Sequence, residues 1–179
     1  MKSKNLKASR LFLISFIWKF LPPSRCHKLK AATLRWAGAV VGKNVEIMSS
    51  AKFLGDFELI IGDNVYIGHE ALISGSAGSK ITICDYAKVG SRCILVTGYH
   101  QFTPDGLCIE GEGLCDDITI GTGAALSTRS FVNPGKVIGK MSHVMAGSIV
   151  THDVPDYVRV AGTPAKIVKK FLDDTAGEK

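Results

Sequence analysis

Residues 120–150, IGTGAALSTRSFVNPGKVIGKMSHVMAGSIV, divide into sixes that each begin on an aliphatic residue: IGTGAA, LSTRSF, VNPGKV, IGKMSH, VMAGSI and then Val150. The fifth place is usually small, as at Ala124, Ser130, Ser142 and Ser148, and Gly121 and Gly139 directly follow their aliphatics. A period of six does not match a helical face, but it is a multiple of the two-residue alternation of a strand. Each unit therefore reads as a short strand plus a turn. Three units make a coil of eighteen residues, in which every aliphatic points inward and stacks on the residue one coil further on.

Working outward, the same beat appears in IGDNVY, IGHEAL and ISGSAG from Ile61, Ile67 and Ile73, and in ICDYAK, VGSRCI and LVTGYH from Ile83, Val89 and Leu95. VGKNVE, IMSSAK and FLGDFE begin at Val41, Ile47 and Phe53, with two extra residues before Ile61. The chain is thus expected to be all-β, a parallel β-helix of about five coils, roughly 24 Å tall at ~4.8 Å per coil. In LVTGYHQFT, residues 95–103, the beat stops after His100 and resumes at Ile120. Residues 101–117 are read as a loop that leaves the coil.

With 179 residues, 46% hydrophobic content and 19 glycines, the chain suits one ordinary domain with an extension, and intrinsic disorder is not expected. The net charge of +6 is uneven, because ten Lys or Arg lie between Lys2 and Lys43 with no acid among them. A nucleic-acid partner is not expected. The basic segment holds LFLISFIWKFL, residues 11–21, which is shorter than the ~20 apolar residues that span a bilayer. Lys19 interrupts it and LPPSRC offers no small-x-small cleavage site, so it does not read as a signal peptide. It reads instead as a helix over 5–21 stopped by Pro22-Pro23, followed by a second over 24–37 ended by Gly38. Two roles stay open for residues 1–37: peripheral contact with anionic lipid, or a cover for the first coil or a sister subunit. The divisions are 1–38 as a helical extension, 39–162 as the β-helix and 163–179 as a C-terminal helix and tail. The helix is read from Thr163-Pro164, an N-cap followed by proline at the first helical position.

Five cysteines, Cys26, Cys84, Cys93, Cys108 and Cys115, form no C-x-x-C and no zinc-like spacing, and their odd number argues against a disulfide framework. A reducing cytoplasm is the expected compartment, with the inner face of a membrane as the place of any peripheral contact.

In ITICDYAKVGSRCILVTGYH and in NPGKVIGKMSHVMAGSIVTHDVPDYVRVAGTPAKIVKK, which ends on an Ala-Gly-x-Pro-Ala-Lys pattern, the chain resembles the hexapeptide-repeat acyltransferases. That family includes galactoside, maltose and serine O-acetyltransferases. The resemblance covers roughly residues 40–170 and implies a left-handed β-helix, a homotrimer with sites between adjacent chains, and acetyl-CoA as co-substrate. It also makes His100 the general base: an imidazole with an unperturbed pKa near ~6.5 can accept a hydroxyl proton at neutral pH. The acceptor oxygen would attack the thioester directly, and no acyl-enzyme is required.

A carboxylate or carbonyl should orient the His100 ring, and Asp105, Glu110, Glu112, Asp116 and Asp117 are all close in sequence. Asp105 and Glu110 are the acceptor-binding candidates, together with His69, which either reaches the groove or decorates a turn. The resemblance places coenzyme A near Thr128, Ala146, Thr151 and His152, with Lys166 and Lys169 approaching its phosphates. His143 reads as structural or as a substrate-edge residue.

Departures from the family pattern bear on the acceptor. Ala125 and Leu126 stand where many relatives carry Trp in a V-W-I-G hexad, and Gly68 and His69 stand where sugar acetyltransferases often have Asn and an aromatic. The leading function is O-acetylation of a sugar or glycolipid in surface polysaccharide or lipid-linked glycan assembly. Alternatives are N-acetylation of an amino sugar nucleotide, or a non-catalytic trimeric scaffold. A γ-type carbonic anhydrase needs three zinc-binding histidines, whereas Asp105 sits five residues after His100; no metal is expected.

Overall fold

A computed structural model describes residues 5–172. β1 (Val40–Val41), β2 (Glu46–Ile47) and β3 (Lys52–Gly55) form the first coil, and β4 (Glu58–Ile61), β5 (Tyr66–Ile67) and β6 (Leu72–Gly75) the second. The third holds β7 (Lys80–Ile83), β8 (Lys88–Val89) and β9 (Ile94–Val96). From it projects a hairpin of β10 (Gly98–Phe102) and β11 (Glu110–Cys115). β12 (Ile118–Ile120), β13 (Ala125–Leu126) and β14 (Phe131–Val132) make the fourth coil; β15 (Val137–Ile138), β16 (His143–Val144) and β17 (Ile149–Val150) make the fifth. β18 (Val158–Gly162) and β19 (Ala165–Lys170) close the stack.

The coils stack in parallel as three sheets, β1-β4-β7-β12-β15, β2-β5-β8-β13-β16-β18-β19 and β3-β6-β9-β14-β17, with only β19 antiparallel to its neighbour. Val41 pairs with Ile61, Ile61 with Ile83, Ile83 with Ile120, Ile120 with Ile138 and Ile138 with Val154, so successive coils are 20, 22, 37, 18 and 16 residues long. The expected β-helix of about five coils is therefore the fold, and the 37-residue coil is the one that carries the hairpin. The first places of the hexads are its core. Ile47, Ile67, Val89, Leu126, Val144 and Val160 run down one wall, and Phe53, Ile73, Leu95, Val132 and Val150 down another, all buried. Each such side chain contributes ~1.5–3 kcal/mol of burial.

The corners explain the other hexad places. The fourth residue adopts the left-handed conformation, whether it is Gly123, Gly135 and Gly147 or Asn44, Asn64, Glu70, Tyr86, Arg92, Arg129 and Met141. At seven of these positions its amide donates to the third-place carbonyl of the preceding coil, as from Tyr86 to Asp63 (2.8 Å) and from Arg92 to His69 (2.7 Å), whereas the Glu70 amide donates to the Ser50 hydroxyl (3.1 Å). That bond offsets a cost of ~1–2 kcal/mol for a side chain in this conformation. Second-place glycines allow the coils to approach: a Cβ on Gly90 would stand 2.5 Å from the Leu126 carbonyl oxygen, and one on Gly139 2.5 Å from the Asp156 nitrogen. The small fifth residues, including Cys93, Ser130, Ser142 and Ser148, are buried under the turns.

The N-terminal helices are shorter than the sequence predicts. α1 runs Ala8–Trp18 and α2 runs His27–Ala37, ended at Gly38 as expected. They do cover the first coil. Leu11, Ile14 and Trp18 are buried, with the Trp18 ring edge-on to Phe53 at 6.0 Å, and the Leu6 amide donates to the Phe57 carbonyl at 2.9 Å.

Two expectations are corrected. The predicted C-terminal helix is absent: Ala165–Lys170 is a strand, antiparallel to β18, after a turn through Thr163 and Pro164. β18 ends the parallel stack, and pairing with β19 satisfies its otherwise open edge. The β-branched Ile167 and Val168 favour a strand. The tail from 173 onward lies outside the described residues. Residues 101–117 are likewise not an irregular loop, because the ordered hairpin begins at Gly98 and ends at Cys115.

Candidate active site

The hairpin emerges from the corner that follows β9, and its base is clamped at two points. Buried Thr97 accepts the Ser76 amide on its hydroxyl (3.0 Å), shares a 2.7 Å hydrogen bond with the Ser79 hydroxyl, and takes the Asp116 amide on its carbonyl (3.0 Å). Asp117 accepts the Lys80 amide at 2.7 Å and pairs with the Lys80 ammonium at 3.3 Å. At the far end the Thr103 amide donates to the Ile109 carbonyl (2.9 Å), which closes the turn.

His100 lies in the middle of β10, directly opposite Gly113, with its side chain exposed. Its Nδ1 is 3.1 Å from the carbonyl oxygen of Gly111. A carbonyl can only accept, so Nδ1 carries the proton and Nε2 keeps its lone pair. The orienting group is thus main chain, and none of the five acids near in sequence serves. A Cβ on Gly111 would stand 2.6 Å from Thr103 Cγ2, so a side chain there would displace Thr103. Beside the ring is an open groove lined by Ser76, Ala77, Gly98, Tyr99, Gly113, Leu114 and Cys115. Asp116 beside Tyr99 accepts a hydrogen bond from its phenol, which raises the phenol's pKa.

The remaining candidates fall into separate places. Asp105 sits in the hairpin turn and Glu110 opposite Phe102; both are exposed on the hairpin's outer part. His69 is at the corner between the second and third sheets, with Nδ1 3.2 Å from the Ser50 hydroxyl. The same corner carries Thr128 and Ala146, two coils and three coils further on: the Arg92 amide donates to His69, the Arg129 amide to Ser91 and the Gly147 amide to Thr128. A Cβ on Gly147 would meet nothing within 4 Å, so the surface is open there. Thr151 and His152 occupy a different corner, the one after β17, and bond each other at 2.9 Å.

Lys166 and Lys169 are exposed on β19. A bulge between Arg159 and Val160 in the β18–β19 ladder puts Lys166 opposite Ala161 and Lys169 opposite Arg159, so both lysines share the outer face of the sheet. Phe171 lies under the Arg159 guanidinium at 5.4 Å and the Lys169 ammonium at 5.9 Å, which holds two cations together. Within one chain, therefore, His100 shares a corner with Thr151 and His152, whereas Thr128, Ala146 and His69 line another.

Thr97, Gly111 and Arg159 are the residues that reading the sequence missed. Thr97 is a third-place residue of its hexad, and its polarity at a buried corner was the available signal. For Gly111 the G-x-G spacing with Gly113 was visible but carries no register by itself. His143 is half-buried, with Nε2 2.8 Å from the Ser127 hydroxyl. All five cysteines are free thiols, Cys108 exposed and Cys115 half-buried with its thiol donating to the Ala77 carbonyl. Among the described residues, no group of three or more His, Cys, Asp and Glu side chains could hold a metal ion.

No protein-family model matches the chain. An Escherichia coli K12 protein named for a colanic acid biosynthesis acetyltransferase, WcaF, is 30% identical over 158 residues, 88% of this chain and 82% of that protein. The galactoside O-acetyltransferase of Escherichia coli K12 is 30% identical over 155 residues, 84% of this chain and 72% of that enzyme. Among solved structures, a Vibrio cholerae hexapeptide-repeat acetyltransferase complexed with acetyl-coenzyme A superposes with a TM-score of 0.75 at 24% identity, covering 93% of this chain and 87% of that one.

Proposed function

The chain belongs to the hexapeptide-repeat acetyltransferases, and from that premise we propose that it moves an acetyl group from acetyl-CoA to a sugar hydroxyl in surface-polysaccharide or lipid-linked glycan assembly. The observation that carries this reading is the Nδ1 bond of His100 to the Gly111 carbonyl, which leaves Nε2 free as a base toward the open groove. Nε2 takes the hydroxyl proton as the acceptor oxygen attacks the thioester carbonyl, and the proton then passes to the departing thiolate. No covalent enzyme intermediate is involved.

Support for a coenzyme A seat is the open, small-residue corner at Thr128 and Ala146 and the outward cations Lys166, Lys169 and Arg159. The corner and His100 sit at different edges of one chain, so the seat is completed in a homotrimer, where the edge of one chain faces the hairpin of the next. Asp105 and Glu110, carried on the hairpin, are placed to meet acceptor hydroxyls. The relatives named for colanic acid and galactoside support a sugar acceptor.

Thiol release from acetyl-CoA, followed over a panel of sugars, amino sugar nucleotides and glycolipids, tests the reading. His100→Ala is expected to lower kcat/KM by ~10²–10⁴-fold on the responding acceptor. Full transfer by that variant would remove His100 as the base, and a response confined to amino acceptors would make the enzyme an N-acetyltransferase.

A further inference from the structure

α1 is apolar on two opposite sides, and the fold accounts for one of them. At ~100° per residue, Leu11, Ile14 and Trp18 point together toward the first coil, where they are buried. Phe12, Leu13, Phe16 and Ile17 point the other way, and Phe20, in the turn that follows the helix, extends the same surface, with Phe12 and Phe20 at 77% and 75% exposure and Phe16 at 54%. Phe16 and Phe20 pack edge to face with ring centroids 5.4 Å apart, so the exposed aromatics form one continuous surface. Arg10 and Lys19 border that surface on its two sides. Arg10 lies 4.7 Å over the ring of Trp36, itself half exposed, and donates to the Trp36 carbonyl. An apolar cleft of about 410 Å³, lined among others by Phe12, Trp18, Phe53 and Leu54, opens beside the helix against β3.

The charge around this surface selects its occupant. Ten Lys or Arg and no acid precede Glu46; Lys30 among them is buried, while Lys7, Lys19, Arg25 and Lys28 are exposed. A second copy docked face to face would bring like charges together with no carboxylate in the segment to match them. Anionic headgroups match them directly. We propose that the outer face of α1 lies in the interface of a bilayer containing anionic lipid, with Phe12, Phe16 and Phe20 at the headgroup–acyl boundary and Arg10 and Lys19 at the lipid phosphates. A helix of 11 residues is ~16 Å long and lies flat there. Among the described residues no helix is long and apolar enough to cross a membrane. β9, from which the hairpin emerges, is two strands from β3 in the same sheet, ~10 Å away, so a docked chain keeps His100 near the surface.

Flotation of the full chain with vesicles tests the docking. Binding is expected to vesicles of phosphatidylcholine with roughly 30% phosphatidylglycerol, and to fall several-fold with phosphatidylcholine alone or at about 0.5 M salt. Phe12→Ser, Phe16→Ser and Phe20→Ser combined should lower binding at least ~10-fold while circular dichroism stays native. Phe16→Ser alone, expected to lower it several-fold, is the readout should the triple variant misfold. Arg10→Gln with Lys19→Gln should weaken the preference for phosphatidylglycerol. Unchanged flotation of the serine variants overturns the proposal. So does a fall in their sedimentation-equilibrium mass relative to the unaltered chain, which assigns the face to a second copy.

Discussion

At the residue scale the chain repeatedly accepts a local cost that a neighbouring coil offsets. Tyr86, Arg92, Arg129 and Met141 hold the left-handed conformation because each amide has a carbonyl waiting one coil away. The His100 ring is set in the same manner, by a main-chain oxygen that strand pairing delivers. His143 shows the electrostatic side of this packing. Burial, with Arg159 alongside adding to it, holds its imidazole below the ordinary histidine range. A histidine depressed in this way contributes stability that is whole above the unfolded pKa of ~6.5 and is lost as pH falls through the lower folded value. The thermal midpoint should therefore drop as pH is lowered from about 7 to about 5, and His143→Gln should flatten that slope. Equal slopes in the two proteins would show that His143 does not couple protonation to folding. Nothing in the sequence announced the pairing of His143 with Arg159, since the two are joined only through the ladder between β16 and β18.

At the scale of elements, the helical extension is held by an interaction no propensity argument reaches. The Lys30 ammonium is buried and donates to the carbonyls of Pro23 and Ile47, both at 2.9 Å, and of Pro22 at 3.4 Å. Burial lowers its pKa, with Cys26 opposing. The bonds tie the Pro22-Pro23 turn and β2 to α2 in one contact. Lys30→Met would leave those carbonyls without their donor, and urea unfolding should show a loss of ~1–3 kcal/mol; an unchanged midpoint would mean that water replaces the ammonium at no cost. The position of both helices was legible from Pro22-Pro23 and Gly38, because those residues act on the local backbone alone. The identity of β19 was not. Thr163-Pro164 is compatible with a helix start, and the open edge of β18 that recruits the segment as a strand exists only once five coils have stacked.

At the scale of the whole molecule, the coils place His100 at one edge and Thr128 and Ala146 at another, so a complete site between chains makes a sharp prediction. On the proposed shared site, trimers assembled from equal amounts of His100→Ala chains and Ala146→Trp chains should recover about a quarter of the activity, well above either variant alone, since a site drawing one edge from each neighbour is intact in that fraction of random pairings. A site contained in one chain would recover none. The β-helix itself was legible from residues 120–150 because the six-residue period is the geometry: an aliphatic at each first place, a small residue at each fifth and a glycine where coils touch all follow from local sterics. So too was the place where the rhythm stops. Sequence alone determined the walls of the prism, the exit of the chain near His100 and the basic, apolar character of its first 43 residues. Tertiary structure decided that residues 98–115 form a clamped hairpin, that Gly111 rather than an acid orients His100, and that α1 turns a row of phenylalanines outward. Each of these depends on which atoms meet across coils that are far apart in the chain, and a repeat specifies its own period without specifying what is inserted into it.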